Sequence, residues 1–239
     1  MRPDAAEVSA AEVLLPAAVL FDMDGLLVET EHLWYAAEGT VMAGLGADWG
    51  PEHQAALVGG PLSYAVSYMV GHAGGGHDED EVMDQLLTEM ERLLRTEPVH
   101  WRPGAKALLL ACQEADVPVA LVSASWRNLV DAVSDAVLHE VGHGMFTTTV
   151  AGDESERTKP FPDPYLLAAA RIGVDPSHCV VLEDSAVGAA AGRASGAFVV
   201  AVPSIVDLAP EPGQHVVASL ENLTPALLGA WSHAWTPRA

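Results

Sequence analysis

Short apolar runs separated by amphipathic stretches set the rhythm of this chain. Val19-Leu20-Phe21 stops at Asp22-Met23-Asp24-Gly25, and similar runs recur at Pro118 to Val122, Thr147 to Ala151, Val180 to Leu182, Phe198 to Val202 and His215 to Ala218. A short run with no polar alternation is what a strand covered on both faces requires, as in a parallel sheet. Helical patterns lie between the runs, at Gly104 to Ala115, Trp126 to Leu138, Pro164 to Ile172 and Ala186 to Ser195. Strand and helix alternate from Val117 onward, which predicts an α/β fold with a doubly wound parallel sheet and helices on both faces.

The stretch from Glu31 to Pro98 breaks this rhythm. Its periodicity is helical throughout, predicting helices at Glu31 to Leu45, Pro51 to Val58, Leu62 to His72 and Asp78 to Thr96. The acidic run Asp78 to Glu81 opens the last of these, where the helix dipole favours negative charge. The expected organisation is a core of residues 1–30 and 99–239 interrupted by a helical cap at 31–98. Hinge strands near Glu29-Thr30 and Val99 to Arg102 would join the two. Gly71 to Gly76 does not follow a strand and reads as a cap loop, not a phosphate cradle. The first dozen residues and the tail after Leu228 are expected to be loosely held.

Composition narrows the function. With 33 acidic against 11 basic residues the net charge is −22, the wrong sign for a nucleic-acid binder, which needs a basic stripe. Half the residues are hydrophobic and 18% charged, which suits a globular chain with a sizeable core. Val13 to Phe21 is too short to span a bilayer and is broken by Pro16, and the acidic N-terminal segment does not resemble a signal peptide, so no membrane partner is expected. Cys112 and Cys179 stand far apart in no metal-binding spacing, which points to a reduced, cytoplasmic protein, with a monomer favoured.

In open α/β sheets ligands bind beyond the carboxyl ends of the strands. The polar residues there are Asp22 and Asp24, then Ser123, then Lys159, then Glu183 and Asp184. Carboxylates converging on one point repel one another, and a hard divalent cation with oxygen ligands, Mg²⁺, resolves the repulsion. Lys159, one of only two lysines in the chain, adds a point charge for an anionic ligand, and Ser123 with the Ala124 amide offers further donors.

These residues lie in motifs that resemble the haloacid dehalogenase superfamily, in its helical-cap phosphatase and phosphomutase subgroup. Phe21-Asp22-Met23-Asp24-Gly25-Leu26-Leu27 is similar to the first motif and Val122-Ser123-Ala124-Ser125 to the second. The run Lys159 to Leu166 is similar to the third, and Val181 to Gly188 with Ala194-Ser195-Gly196 to the fourth, all in family order. The resemblance implies that Asp22 is the nucleophile forming an aspartyl-phosphate and that Asp24 is the general acid and then base. It implies Mg²⁺ held by Asp22, the Asp24 carbonyl and Asp184, with Glu183 as a further or supporting ligand. Ser123, Ala124 and Lys159 would stabilise the phosphoryl oxygens. Asp24 also favours phosphoryl transfer over dehalogenation, which has no alkoxide to protonate.

The cap residues Glu31 to Trp34 and Val41 to Gly46 resemble phosphatases of hexose 6-phosphates, of the 2-deoxyglucose 6-phosphate type, and of related sugar phosphates. The substrate implied is therefore a small phosphate ester, and Trp34, where the cap begins, is the tryptophan assigned to specificity, with His32 and Tyr35 beside it. A β-phosphoglucomutase-like reaction is the alternative. It is disfavoured because Trp34, Val58 and Leu62 stand where that enzyme carries a histidine, a lysine and an arginine. A remote alternative is a zinc hydrolase, since His139-Glu140-Val141-Gly142-His143 matches H-E-x-x-H. Gly142 and Gly144 argue instead for a helix ending there.

Overall fold

The computed structural model describes residues 13–57, 62–204 and 206–235. Six parallel strands form one sheet: β1 (Ala18–Phe21), β2 (Val119–Val122), β3 (Thr148–Val150), β4 (Cys179–Glu183), β5 (Phe198–Ala201) and β6 (Gln214–Val216), in the order β3-β2-β1-β4-β5-β6. The order reverses at β1, so the crevice beyond the carboxyl ends of β1, β2 and β4 is where a ligand is expected.

Both faces of the sheet are covered, as the unbroken apolar runs require. Val19, Phe21, Val119, Leu121, Val180 and Leu182 face one layer, while Ala18, Leu20, Ala120, Val122 and Val181 face the other. This is the two-residue alternation of a strand buried on both sides. Helices α5 (Ala105–Glu114) and α6 (Arg127–Val141) contribute to the first layer, and α7 (Asp163–Ile172) and α8 (Ala186–Ala194) to the second. The second layer is rich in alanine and glycine, so α8 lies close to the sheet; a Cβ at Gly192 would come 2.9 Å from both Val181 and Val199.

Between β1 and α5 the chain forms four helices: α1 (Glu31–Gly44), α2 (Pro51–Leu57), α3 (Leu62–His72) and α4 (Glu79–Thr96). Val82, Leu86, Leu87, Met90, Leu93 and Leu94 form the buried stripe of α4, at the spacing of one helical face. The side chain of Asp78 accepts from the amides of Asp80 (2.9 Å) and Glu81 (3.3 Å), capping that helix. The chain crosses between the insertion and the sheet twice. Val28 and Trp101 form an antiparallel bridge there, the Glu29 amide donates to His100 O (2.7 Å) and the Arg102 amide to Leu27 O (3.0 Å).

The expectation of a loose tail is corrected. Helix α9 runs over Pro225–Ala234, its N-terminus capped by Thr224 Oγ1, which accepts from the Leu227 amide at 3.2 Å. Leu228 is fully buried, Gly229 lies against the Leu14 backbone, and Trp235 packs on Phe198. Apolar area at Leu228, Trp231 and Trp235 ties this segment to the core. The first dozen residues, Val58 and residues 236–239 of the expected tail lie outside the described residues. Among the described residues no helix is long and apolar enough to cross a membrane.

Candidate active site

Asp22 follows β1 directly, its amide continuing the ladder to Leu182 O at 3.0 Å. The chain then turns through Gly25, whose φ of +81° suits glycine and whose amide donates to Val28 O at 2.9 Å. A Cβ there would sit 2.2 Å from Asp184 Oδ2, so the turn and the carboxylate can be this close only because position 25 has no side chain. Asp24 is held by three hydroxyls. Thr30 Oγ1 donates to Oδ1 (2.7 Å), while Ser125 Oγ (2.8 Å) and Ser123 Oγ (3.3 Å) donate to Oδ2.

Lys159 enters from the loop after β3 and is nearly sealed from solvent. Its Nζ donates to Asp22 Oδ1 at 2.5 Å, Glu183 Oε1 at 2.7 Å and Val122 O at 2.9 Å, which uses all three ammonium hydrogens. Glu183, at the end of β4, has no solvent exposure. Its Oε1 also accepts from Tyr165 OH (2.6 Å) and its Oε2 from the hydroxyl (3.1 Å) and amide (3.4 Å) of Ser185. Gly188 makes room for that carboxylate, because a Cβ there would fall 1.8 Å from Oε1. Asp184, the next residue, accepts a hydrogen bond from Ser204 Oγ.

Burial pushes the Asp22 carboxyl well above its usual range; the Lys159 ammonium opposes this, and the neighbouring Glu183 and Asp184 add to it. Burial likewise raises Asp184 to about 6, against the Ser204 hydrogen bond and with Glu183 adding to the rise. Burial works against the charged form of Lys159, but Asp22 and Glu183 outweigh it and hold its pKa above the ordinary lysine value. Tyr165, buried against Glu183, is pushed well above the usual phenol range and remains a neutral donor.

Asp22, Glu183 and Asp184 each offer a carboxylate oxygen, and these atoms all lie within 4.8 Å of one another. One ammonium cannot balance three such groups, and the donor set is all oxygen, so the residues present fit a hard divalent cation. Glu183 already has both oxygens engaged. The carboxylates left for a metal are those of Asp22 and Asp184.

The strand-end residues Asp22, Asp24, Ser123, Lys159, Glu183 and Asp184 therefore meet in one crevice, with Ala124 exposed in the turn between the two serines. Trp34 lies on α1, partly buried against the main core cluster. Four contacts were not assigned from sequence: Thr30, Ser125, Tyr165 and Ser204. Ser125 lies inside the second motif and could have been found there, and Tyr165 inside the third. Thr30 reads from sequence as part of a hinge strand with no role at the site, and nothing in the sequence around Ser204 connects it to Asp184. The H-E-x-x-H stretch is elsewhere. Helix α6 ends at Val141 with Gly142 in the left-handed region, so His143 has left the helix. His143 bonds Val141 O and Gln113, and Glu140 bonds Trp101 Nε1 (2.9 Å) and Lys106, which leaves no zinc-binding geometry.

Comparison with known proteins identifies the family and the fold. A family model for haloacid dehalogenase-like hydrolases matches residues 16–196. Hexitol phosphatase B of Escherichia coli is 32% identical over 190 residues, covering 78% of this chain and 83% of that protein. A probable pseudouridine-5'-phosphatase of Drosophila melanogaster is 32% identical over 218 residues, covering 88% and 92%. The crystal structure of CbbY from Rhodobacter sphaeroides in complex with phosphate superposes with a TM-score of 0.77 at 26% identity, over 90% of this chain and 99% of that one.

Proposed function

The chain belongs to the haloacid dehalogenase-like hydrolases and is a phosphoric monoester hydrolase, and on that premise we propose that it hydrolyses small sugar or sugar-alcohol monophosphates through an aspartyl-phosphate on Asp22. The observation that carries the reading is the contrast between the two aspartates. Asp22 is buried and paired to Lys159 at 2.5 Å, whereas Asp24 sits one turn away, partly exposed and held by three hydroxyls.

In this reading an Asp22 oxygen attacks phosphorus, the bond to the ester oxygen breaks, and the leaving alkoxide takes the proton carried by Asp24. Asp24 then removes a proton from water, the water oxygen attacks phosphorus, and the acyl-phosphate bond breaks to return Asp22 and inorganic phosphate. Thr30, Ser123 and Ser125 orient the Asp24 carboxyl. Lys159, steadied by Glu183 and Tyr165, fixes Asp22 and faces the transferring group with positive charge, with the Ser123 hydroxyl and Ala124 amide as further donors. Asp22, the Asp24 carbonyl and Asp184 would hold Mg²⁺, with Glu183 in support. When bound, the ion supplies positive charge to offset that of the phosphate and carboxylates.

We read residues 31–98 as a cap that closes over the site and excludes water, with Trp34 as a specificity contact. The only lysines or arginines in that segment are Arg92 and Arg95, both engaged by carboxylates on or beside α4. That leaves no cation to hold the second phosphate of a mutase intermediate and favours hydrolysis. A reducing, cytoplasmic setting is part of the reading, supported by two free, buried cysteines.

The test is phosphate release from hexose, hexitol and pentose monophosphates with Mg²⁺. Asp22→Asn should lower it by about 10³-fold or more. Unchanged turnover by Asp22→Asn, or isomerisation of a β-hexose 1-phosphate without release, would overturn the proposal.

A further inference from the structure

Of the six tryptophans in the chain, five (Trp34, Trp49, Trp101, Trp231 and Trp235) pack partly buried against the main core cluster. Trp126 does not, and it is 45% exposed. It also occupies the N-cap of α6, with extended backbone (φ −69°, ψ 156°) and no side-chain cap bond. Serine, threonine, aspartate or asparagine is favoured at such a position. The adjacent Arg127 amide is satisfied from elsewhere, by Asp153 Oδ1 at 3.0 Å. One residue thus breaks two local rules, and such breaks concentrate where function competes with stability.

Its position says which function. Trp126 follows Ser125, whose hydroxyl lies 2.8 Å from the Asp24 carboxylate, and consecutive Cα atoms are about 3.8 Å apart. The indole is therefore rooted within a side chain's length of the group that meets the ester oxygen. Phe161, the other exposed aromatic on a strand-end loop, is covered by Arg157, whose guanidinium carbon lies 4.5 Å from the ring centroid. Among the described residues Trp126 has no aromatic or cationic partner of that kind. An uncovered indole rooted one residue from this charged site suits a ligand with an anionic end and a C–H-bearing ring.

We propose that Trp126 is a specificity-determining residue whose indole packs against the ring of a closed sugar monophosphate. The proposal rests on the hydrolytic reading above and names the leaving-group class. An acyclic ester such as glycerol 1-phosphate uses the same charged site and forgoes the indole contact.

The experiment compares the wild-type chain with Trp126→Ala, Trp126→Phe and Trp126→Ser, on glucose 6-phosphate and glycerol 1-phosphate. Trp126→Ala should lower kcat/KM for the ring ester about fivefold, mainly through KM, leave the acyclic ester within about twofold, and be rescued by Trp126→Phe. Trp126→Ser should lose the same specificity while raising Tm by a few degrees, because it restores a favoured cap. Equal losses on both esters, or a Tm that falls in step with activity, would overturn the proposal in favour of a structural role. Tryptophan emission separates this from failure of the hydrolytic reading. If the wild type releases no phosphate, an emission change on adding glucose 6-phosphate that is absent from Trp126→Phe still supports the indole contact. No such change overturns it, as does quenching by a second protein chain alone.

Discussion

The sheet-end site and the four-helix insertion use charge in opposite ways. At the site Lys159, Asp22 and Glu183 are buried, and every ammonium hydrogen is assigned. On the insertion, the Arg92–Glu89 and Arg95–Glu91 pairs sit in solvent, as does the Arg95–Asp135 pair that ties α4 to α6. Burying ions costs several kcal/mol each and is repaid only by good geometry, whereas an exposed pair contributes about 0–1 kcal/mol. A chain carrying 33 acidic residues can place most of them anywhere in water. Those it buries against a buried ammonium, Asp22 and Glu183, mark the chemistry.

Lys159→Met is the most severe test of that contrast. It leaves Asp22 and Glu183 buried without their cation, so in chelator it should cost about 3–5 kcal/mol in urea unfolding and abolish detectable phosphate release. A loss below 1 kcal/mol would erase the distinction between the two regions.

Glu38 sharpens it, because it is a buried carboxylate in the insertion whose only hydrogen-bond partner among the described residues is the Trp49 indole N–H, at 3.1 Å. Burial pushes its pKa from 4.5 up to about 7, against the Trp49 hydrogen bond. A raised carboxyl binds its proton more tightly in the folded state. Its contribution is therefore fully present below pH 4.5 and is lost as pH rises through 7. Glu38→Gln should match the wild type near pH 4.5 and exceed it at pH 8 by on the order of 1–2 kcal/mol, allowing for residual solvation. A stability difference that does not change with pH in chemical unfolding would refute this.

Arg95→Ala should have the smallest effect, under about 1 kcal/mol, and a double-mutant cycle with Asp135→Asn should give a coupling of a few tenths of a kcal/mol. A coupling above 2 kcal/mol would mean that the α4–α6 contact holds the insertion against the sheet more firmly than its exposure implies.

How legible each part was follows from the range of the interactions involved. The strands and most helix limits could be read because burial on both faces, helical periodicity and end caps are local patterns: α4 begins at Glu79 after Asp78 and α3 spans Leu62–His72, close to their expected limits. The tail misled, because polar residues around Ser232 and His233 conceal how much of Leu228, Trp231 and Trp235 meets the core. Motif order also brought out Asp22, Asp24, Ser123, Lys159, Glu183 and Asp184, since each lies at the carboxyl end of a strand or in the loop beyond it.

Their partners needed the folded chain. Lys159 reaches Asp22 across 137 residues of sequence, and Ser125 reaches Asp24 across 101. Ser204 meets Asp184 only because β4 and β5 lie side by side. Side-chain periodicity is a property of a few consecutive residues, so it identifies strands, helices and the residues at their ends. Which ammonium hydrogen goes to which carboxylate, and which tryptophan is left uncovered, depends on crossovers that bring distant segments within 3 Å. No local pattern records those distances.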